Sequence, residues 1–287
     1  MDLDPPRAWV ETVERGVDQH NVAVTGLCDY YPVGFLIKDA KLGVLGGLLG
    51  DIWGGWMHVG SLWVDRRWRG RGYATDLMTA AERYALRKKC THAFLQTGSY
   101  EARGLYEKLD YEAYAELKDH PTKGYDRYFM KKVLAPGVPK DKPREKAKLE
   151  MVPYASQTTE AIVRLGISYH ALAATGLPEQ TWSPANFFLK DDDGEILGGA
   201  LGNIWGEWLY VAFLWVDRQL RGHGYGSRLI TAIEKHALAR GCSSAFLGTF
   251  SFQARPLYEK LGYQVFGERK DHPKGHSHYW LSRRLAK

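Results

Sequence analysis

The stretch that decides the fold is LWVDRRWRGRGYATDLMTAAERYAL, from Leu62 to Leu86. It begins with aromatic and branched residues, which are typical of a β-strand. The glycines of RGRGYA follow, and apolar residues such as Leu77, Ala81 and Ala85 then recur at helical spacing. The stretch therefore predicts a strand, a glycine-rich turn and a helix in immediate succession.

The same pattern occurs a second time in the chain. LWVDRQLRGHGYGSRLITAIEKHAL runs from Leu214 to Leu238, at an offset of 152 residues. Between residues 62–111 and 214–263, 29 of 50 positions are identical. Because this period is far longer than a solenoid repeat, it indicates a duplicated domain.

A segment rich in proline and basic residues, LAPGVPKDKPREKAKLE, separates the two copies. This composition is typical of a solvated, semi-extended linker. We therefore predict a first domain at residues 1–134, a linker at 135–149 and a second domain at 150–287.

Each half shows the same coarse pattern of elements around its glycine turn. An N-terminal helix, two extended runs and the strand before the turn are followed by a helix, a strand, a short helix and a last strand. This order predicts an α/β, or layered α+β, fold around a central sheet. In the first half the predicted helices lie at 7–21, 73–88 and 102–109, and predicted strands include 33–38, 43–50 and 128–133.

Composition excludes several other classes of protein. The net charge of +6 comes without a long basic run, so we expect no nucleic-acid partner. The three cysteines form no C-x-x-C pair, which argues against a disulfide framework and against a metal site. No signal peptide and no apolar run of about 20 residues is visible, so we expect a cytoplasmic protein with no membrane contact.

The glycine turn of each half predicts a site for phosphate groups. Glycine lets the backbone approach a ligand closely, and the first N–H groups of the following helix attract anions. The nearby arginines fit a ligand with several phosphate charges. Neither a Walker loop nor the G-x-G-x-x-G dinucleotide fingerprint is present.

The full pattern, L-x-V-D-x-x-x-R-G-x-G-Y-[AG], resembles the strand, turn and helix of the GNAT superfamily of acetyl-CoA-dependent N-acetyltransferases. The later segments ARGLYEKLDY and ARPLYEKLGY resemble the family's next helix and turn. The resemblance implies two tandem GNAT-like domains. Each would have a mixed central sheet, flanked by helices and splayed open at the acetyl-CoA site.

The resemblance also implies which residues contact acetyl-CoA. The pyrophosphate would lie on the backbone amides of the turn, and the pantetheine arm would pair with the preceding strand like an added strand. In the first half these residues are Leu62, Trp63, Val64, Arg69, Gly70, Arg71, Gly72, Tyr73 and Ala74. In the second half they are Leu214, Trp215, Val216, Arg221, Gly222, His223, Gly224, Tyr225 and Gly226.

Tyr106 and Tyr258 match the tyrosine that protonates the departing CoA thiolate in many members of the family. A phenol suits a general acid because it keeps its proton at neutral pH. Alternatively, these tyrosines only pack an amphipathic helix against the core.

The general base is not singled out by the sequence. The attacking amine must lose a proton, directly or through water. The candidates are His58 and Asp51 in the first half and Glu207 in the second, and none of them is duplicated.

The string K-D-H-P recurs at residues 118–121 and 270–273. Neighbouring residues on an extended chain point to opposite faces, so adjacent Asp and His side chains are poorly placed to share a metal ion. We expect a loop here, or alternatively a wall of the acceptor site.

We therefore predict an N-acetyltransferase that acts on the primary amine of a small molecule, such as an amine antibiotic, a polyamine or an amino-acid derivative. The alternatives are a protein or peptide acetyltransferase, and a chain in which one half only binds acetyl-CoA. Asp110 stands where the second half has Gly262, so we expect any weaker half to be the first. The chain would be a monomer with pseudo-dimeric halves, or a homodimer.

Overall fold

The chain forms the same succession of elements twice. The computed structural model describes residues 5–135, 148–151, 156–177 and 183–285. The first half contains α1 (Arg7–Thr25), β1 (Tyr31–Asp39), β2 (Gly43–Trp53), β3 (Trp56–Val64), α2 (Tyr73–Arg87), β4 (His92–Gly98), α3 (Arg103–Glu107), β5 (Glu112–Leu117) and β6 (Arg127–Val133). The second contains β7 (Lys148–Met151), α4 (Gln157–Thr175), β8 (Ser183–Lys190), β9 (Ile196–Trp205), β10 (Trp208–Val216), α5 (Tyr225–Ala239), β11 (Ser244–Phe250), α6 (Arg255–Lys260), β12 (Gln264–Lys270) and β13 (Ser277–Arg284).

Two mixed sheets organise these elements. The strand orders are β5-β6-β4-β3-β2-β1-β7 and β12-β13-β11-β10-β9-β8. In each sheet one pair is parallel, β3 with β4 and β10 with β11, and the other neighbours are antiparallel. The predicted fold class, two tandem mixed sheets flanked by helices, is confirmed.

The helix after each glycine turn forms because its apolar residues recur on one face. In α2, Leu77, Ala81 and Ala85 are fully buried and pack against the first sheet. In α5, Ile230 and Ile233 do the same on the second sheet. These contacts fix the start of each helix directly beside the strand that precedes it.

The N-terminal helices are exchanged between the halves. Helix α1 packs against β9 and β10 of the second half, and α4 packs against β2 and β3 of the first. Val13 of α1 is buried with Leu201, and Val163 of α4 is buried with Leu49. Strand β7 also pairs with β1 of the first half. Each sheet therefore carries a helix of its own half on one face and a helix of the other half on the opposite face.

The predicted domain boundaries remain predictions, and the exchanged elements can be compared with them. Residues 136–147 of the predicted linker lie outside the described residues. Its last two residues, 148 and 149, belong to β7. Helices α1 and α4 and strand β7 all pack or pair with the sheet of the other half or across the linker, which a division at the linker does not show.

The K-D-H-P segments are loops, as predicted, and each contacts the other half. Trp208 Nε1 donates a hydrogen bond to the carbonyl oxygen of Asp119 at 2.7 Å. Trp56 Nε1 donates in the same way to Asp271 at 2.8 Å. A buried aromatic cluster that includes Phe129 lies beside these loops and draws on both halves. The two halves are therefore joined by a continuous core as well as by helix exchange.

Three buried histidines, two in these loops and one in β13, predict loss of stability in acid. His120, His272 and His278 are buried, and burial together with a nearby arginine lowers the pKa of each well below its usual value. The unfolded chain binds protons at these sites below about pH 6.5, whereas the folded chain does not. These histidines therefore do not reduce the free energy of unfolding above about pH 6.5. Below that pH they lower it by about 1.4 kcal/mol per histidine for each pH unit.

We expect the melting temperature to fall between pH 7.5 and pH 5.5. A His120→Gln/His272→Gln variant should show a shallower dependence, because glutamine can still accept a hydrogen bond and does not titrate. An unchanged pH dependence in this variant would contradict the assignment.

Candidate active site

The first sheet splays open between β3 and β4. Their parallel pairing ends at Val59 and Leu95, although both strands continue. Gly60 has no partner in the register with β2, so β3 carries a bulge at that point. A bulge bends its strand and ends regular pairing, and it thereby opens a gap in the sheet.

The second sheet repeats this arrangement. Pairing between β10 and β11 ends at Val211 and Leu247, and Ala212 is the bulged residue in the register with β9. The splay predicted from the family resemblance is therefore present twice, at the same place in each half.

The strand segments beyond the splay have the alternation expected from the sequence. Leu62 and Val64 belong to the core under α2, and Trp63 packs on the opposite face beside α4. In the second half, Leu214 and Val216 belong to the core under α5, and Trp215 packs beside α1.

The glycine turn is held against the strand by its arginine. Arg69 Nε donates to the carbonyl oxygen of Val64 at 3.0 Å, and Arg221 Nε donates to Val216 at 3.0 Å. These two side chains therefore hold the turn in place. The sequence alone predicts a different role for them, as cations for the ligand's phosphates. Arg66, Arg71 and Arg218 are further exposed cations beside the turns. His223 is also exposed there.

Both turns leave room above the backbone at the start of the following helix. Gly72 and Gly224 have φ of 83° and 82°, and no side chain caps α2 or α5. A Cβ added at Gly70 or at Gly224 would meet nothing within 4 Å. An open helix N-terminus of this kind suits an anionic group.

The tyrosines predicted as general acids are buried within the cores beneath the splays. Tyr106 is 7% exposed and Tyr258 is 6% exposed. Burial raises the pKa of both phenols, and Glu101 raises that of Tyr106 further. Both phenols therefore hold their proton at neutral pH.

His58 and Asp51 form a pair next to the first splay. His58 Nδ1 lies 3.1 Å from Asp51 Oδ1, and both side chains are 30% exposed. The imidazole stacks on Phe94 of β4, with ring centroids 4.7 Å apart. His58 directly precedes Val59, where the parallel pairing ends, so its ring stands beside the gap.

The second half has a different pair at the matching positions. Tyr210 stacks on Phe246 at 4.9 Å, and burial raises the pKa of its phenol. Its cross-strand neighbour is Asn203. Neither side chain accepts a proton near neutral pH, so the second splay lacks this acid–base pair.

The structure places Glu207 away from the second splay, and its role as a base remains a prediction. Glu207 lies in the turn between β9 and β10, about 13 Å along the strand from the splay at Val211. Its carboxylate accepts a hydrogen bond from Thr122 Oγ1 at 2.7 Å. The residue therefore belongs to the contact between the halves, a long-range contact that the sequence did not reveal.

Glu101 and Gln253 are site residues that the sequence analysis missed. Glu101 Oε2 accepts hydrogen bonds from the Gly98 amide at 2.7 Å and from Thr97 Oγ1 at 3.0 Å. Gln253 Oε1 accepts the equivalent bonds from Phe250 and Thr249. Each braces the loop that leads to its catalytic tyrosine candidate. Because the two residue types differ, the repeat alignment gave no signal for them.

The first centre is the splay between β3 and β4, the turn at 69–74 and Tyr106. The second centre is the splay between β10 and β11, the turn at 221–226 and Tyr258.

Both centres combine an open sheet edge with an uncapped helix start, an arrangement that suits an extended, phosphate-bearing ligand. The family model described as the acetyltransferase (GNAT) family matches residues 6–111 and 162–263. The chain therefore belongs to the GNAT acetyltransferase family, and it is an N-acetyltransferase. Members of this family use acetyl-CoA.

Two curated relatives named as acetyltransferases agree with this assignment. The chain is 39% identical over 93 residues to the blasticidin-S acetyltransferase of Streptomyces morookaense, covering 32% of this chain and 68% of that protein. It is 31% identical over 131 residues to an acetyltransferase of Agrobacterium fabrum, covering 46% and 94%. A solved acetyltransferase structure from Bacillus cereus is 32% identical, with a TM-score of 0.42, and covers 46% of this chain and 95% of its own.

Two features are absent from the described residues. No helix among them is long and apolar enough to cross a membrane. No group of three or more His, Cys, Asp or Glu side chains in these parts of the chain could hold a metal ion.

Proposed function

We propose that the chain transfers the acetyl group of acetyl-CoA to the primary amine of a small molecule. The observation that carries the proposal is the double occurrence of a splay, an uncapped helix start and a buried tyrosine. The similarity to a relative named for blasticidin-S, a small molecule, supports that substrate class over a peptide. The cytoplasmic location expected from the sequence is part of the same proposal.

The residues present fit acetyl-CoA at both centres. The uncapped starts of α2 and α5 offer backbone N–H groups to its phosphates. The unpaired edges of β3 and β10 beyond the splay offer main-chain groups to its pantetheine arm. Acetyl-CoA supplies the acetyl group as a reactive thioester.

Side chains of the protein donate and accept the protons of the reaction. Tyr106 and Tyr258 hold a proton on the phenolic oxygen, ready for the leaving sulfur. In the first centre, His58 Nε2 accepts a proton from the ammonium group of the acceptor, and the neutral amine that results attacks the thioester. Asp51 fixes the orientation of His58 by accepting a hydrogen bond from Nδ1–H.

This assignment makes the first centre the better equipped of the two. The sequence favoured the second, because Asp110 replaces a glycine. In the structure, Asp110 adopts φ of 64° and Gly262 adopts φ of 88°, so the turn forms with either residue. The His58–Asp51 pair has no counterpart in the second centre, which favours a second half that binds acetyl-CoA and turns over slowly.

His58→Gln is expected to lower kcat/KM for the amine about 100-fold when only the first centre is active. The same substitution should remove the ascending limb of the pH profile that a general base produces, because glutamine does not titrate. Both quantities are measured in a Gly224→Val background.

The matched control for this prediction is Tyr210→Phe in a Gly72→Val background, where only the second centre is active. It should change the rate by no more than about twofold and leave the shape of the pH profile unchanged. An unchanged ascending limb in His58→Gln would show that His58 is not the base.

The proposed function is tested by CoA release from acetyl-CoA across amine antibiotics, polyamines, amino acids and peptides. Turnover with one small-molecule class is the expected result. Turnover with peptides alone would overturn the small-molecule proposal in favour of a peptide acetyltransferase. Acetyl-CoA binding without any turnover would overturn it in favour of a binding module.

A further inference from the structure

We propose that each centre is completed by the N-terminal helix of the other half. In this arrangement Gly16 of α1 is a positioning residue for the second centre, and Gly166 of α4 is one for the first. The two centres are consequently inseparable, although the chain is built from two copies of one domain. The inference rests on the proposed function for the location of the centres, and on the observed helix packing for the exchange.

The first contact that carries the inference joins a glycine to a tryptophan. A Cβ added at Gly16 would overlap the indole of Trp215, and a Cβ at Gly166 would overlap the indole of Trp63. Both tryptophans lie on the strand segment beyond the splay, which we assign to the pantetheine arm. Glycine is therefore required at these helix positions, at a cost in helix propensity, so that the indole of the other half can approach.

The second contact joins α1 to the loop before Tyr258. Gln253 Nε2 donates a hydrogen bond to Asn21 Oδ1 at 2.8 Å, while its Oε1 braces the end of β11. His20 Nε2 lies 3.3 Å from the carbonyl oxygen of Phe252 in the same loop. Helix α1 thus spans the second centre from its cofactor strand to its catalytic loop.

Helix α4 spans the first centre in a similar way. Near its end, the carbonyl oxygen of Ala174 accepts a hydrogen bond from Tyr125 at 3.1 Å. Tyr125 packs edge to face against Tyr100, which directly precedes Glu101. The loop before Tyr106 is therefore linked to the helix that the second half contributes.

The exchange is tested by cross-linking in the full chain. In a Cys28→Ser background, a short bis-maleimide should join Asn21→Cys to Gln253→Cys. The cross-link is identified by mass spectrometry in the fraction that has the size of a single chain. Cys90 and Cys242 do not compete, because both are buried and burial raises the pKa of each thiol to about 11.

Equivalent positions in the two halves provide the controls for this cross-link. Ala171→Cys, the position in α4 that matches Asn21, should join to Glu101→Cys of the first half. Asn21→Cys should not join to Glu101→Cys. If Asn21→Cys joined to Glu101→Cys of its own half and not to Gln253→Cys, the proposal would be overturned, whatever the protein's activity.

The positioning role is tested by acetyl-CoA binding, measured by calorimetry in chains with one centre disabled. With the first centre disabled by Gly72→Val, Gly16→Ala should weaken binding at the second centre about tenfold, and Gly166→Ala should not. With the second centre disabled by Gly224→Val, the effects should be reversed. An effect of each glycine on the centre of its own half would overturn the proposal.

A rescue distinguishes positioning from general loss of structure. Trp215→Phe should restore much of the affinity lost in Gly16→Ala, because the smaller ring removes the overlap. Failure of this rescue, with cooperative unfolding retained, would show that Gly16 does not act through Trp215. If the unmodified chain bound no acetyl-CoA, the proposed function would fail, and the cross-links would still decide the exchange.

Discussion

Gly224→Val is expected to abolish acetyl-CoA binding at the second centre, so that the chain binds one molecule where the unmodified chain binds two. Gly224 has φ of 82°, which a β-branched residue adopts only under strain. The added side chain would also occupy the space above the turn, where nothing of the protein lies within 4 Å of the Cβ position. The binding stoichiometry, measured by calorimetry, checks this expectation.

Gly226→Ala is the matched control for the loss of binding. The first copy has Ala74 at this position, so the turn of this family accepts a methyl group there. A Cβ at Gly226 would lie 3.2 Å from Leu257 Cδ2, a contact that a small shift of a flexible side chain relieves. Binding of two molecules by Gly224→Val would show that the phosphates lie elsewhere.

The second large effect is expected for Tyr106→Phe combined with Tyr258→Phe. Removing both phenolic protons should lower kcat about 100-fold or more, which is the usual contribution of a general acid. The affinity for acetyl-CoA should change by no more than about twofold, because both rings keep their packing. Steady-state rates and calorimetric affinities test the two statements separately.

Tyr263→Phe is the control for general damage to the core. Tyr263 packs edge to face on Tyr258, and its hydroxyl donates to Glu234 at 2.8 Å. Its loss should lower stability by about 1 kcal/mol and leave kcat unaffected. Equal losses of affinity and kcat in the Tyr106/Tyr258 double variant would identify those hydroxyls as binding groups instead.

The two centres also differ in ways that the repeat conceals. Their cofactor sides are nearly the same, from the bulges at Gly60 and Ala212 to the uncapped helix starts. Their acceptor sides differ, since His58 and Asp51 face the first splay while Tyr210 and Asn203 face the second. The two copies therefore share the backbone geometry of the splay and the turn, while the side chains beside the splay differ.

The elements around the glycine turn could be predicted because their causes are local. The helical spacing in 73–88 and the strand composition before the turn are properties of neighbouring residues, and α2 and β3 formed where expected. The pairing of His58 with Asp51 was not predictable. It depends on the register between two strands, which sets two separately considered residues opposite each other.

The sequence by itself determined that the chain carries two copies of one domain, each with a strand, a glycine turn and a helix, because glycines, periodicity and internal identity can all be read along the chain. The assignment to the acetyltransferases rests on resemblance to the GNAT family. Only the tertiary structure decided which helix covers which sheet. Helices α1 and α4 present equivalent residues to their partners, Val13 with Gly16 and Val163 with Gly166. Two such similar faces fit either sheet, so the sequence does not distinguish a helix packed on its own half from one exchanged with the other. The packing of the whole chain makes that choice.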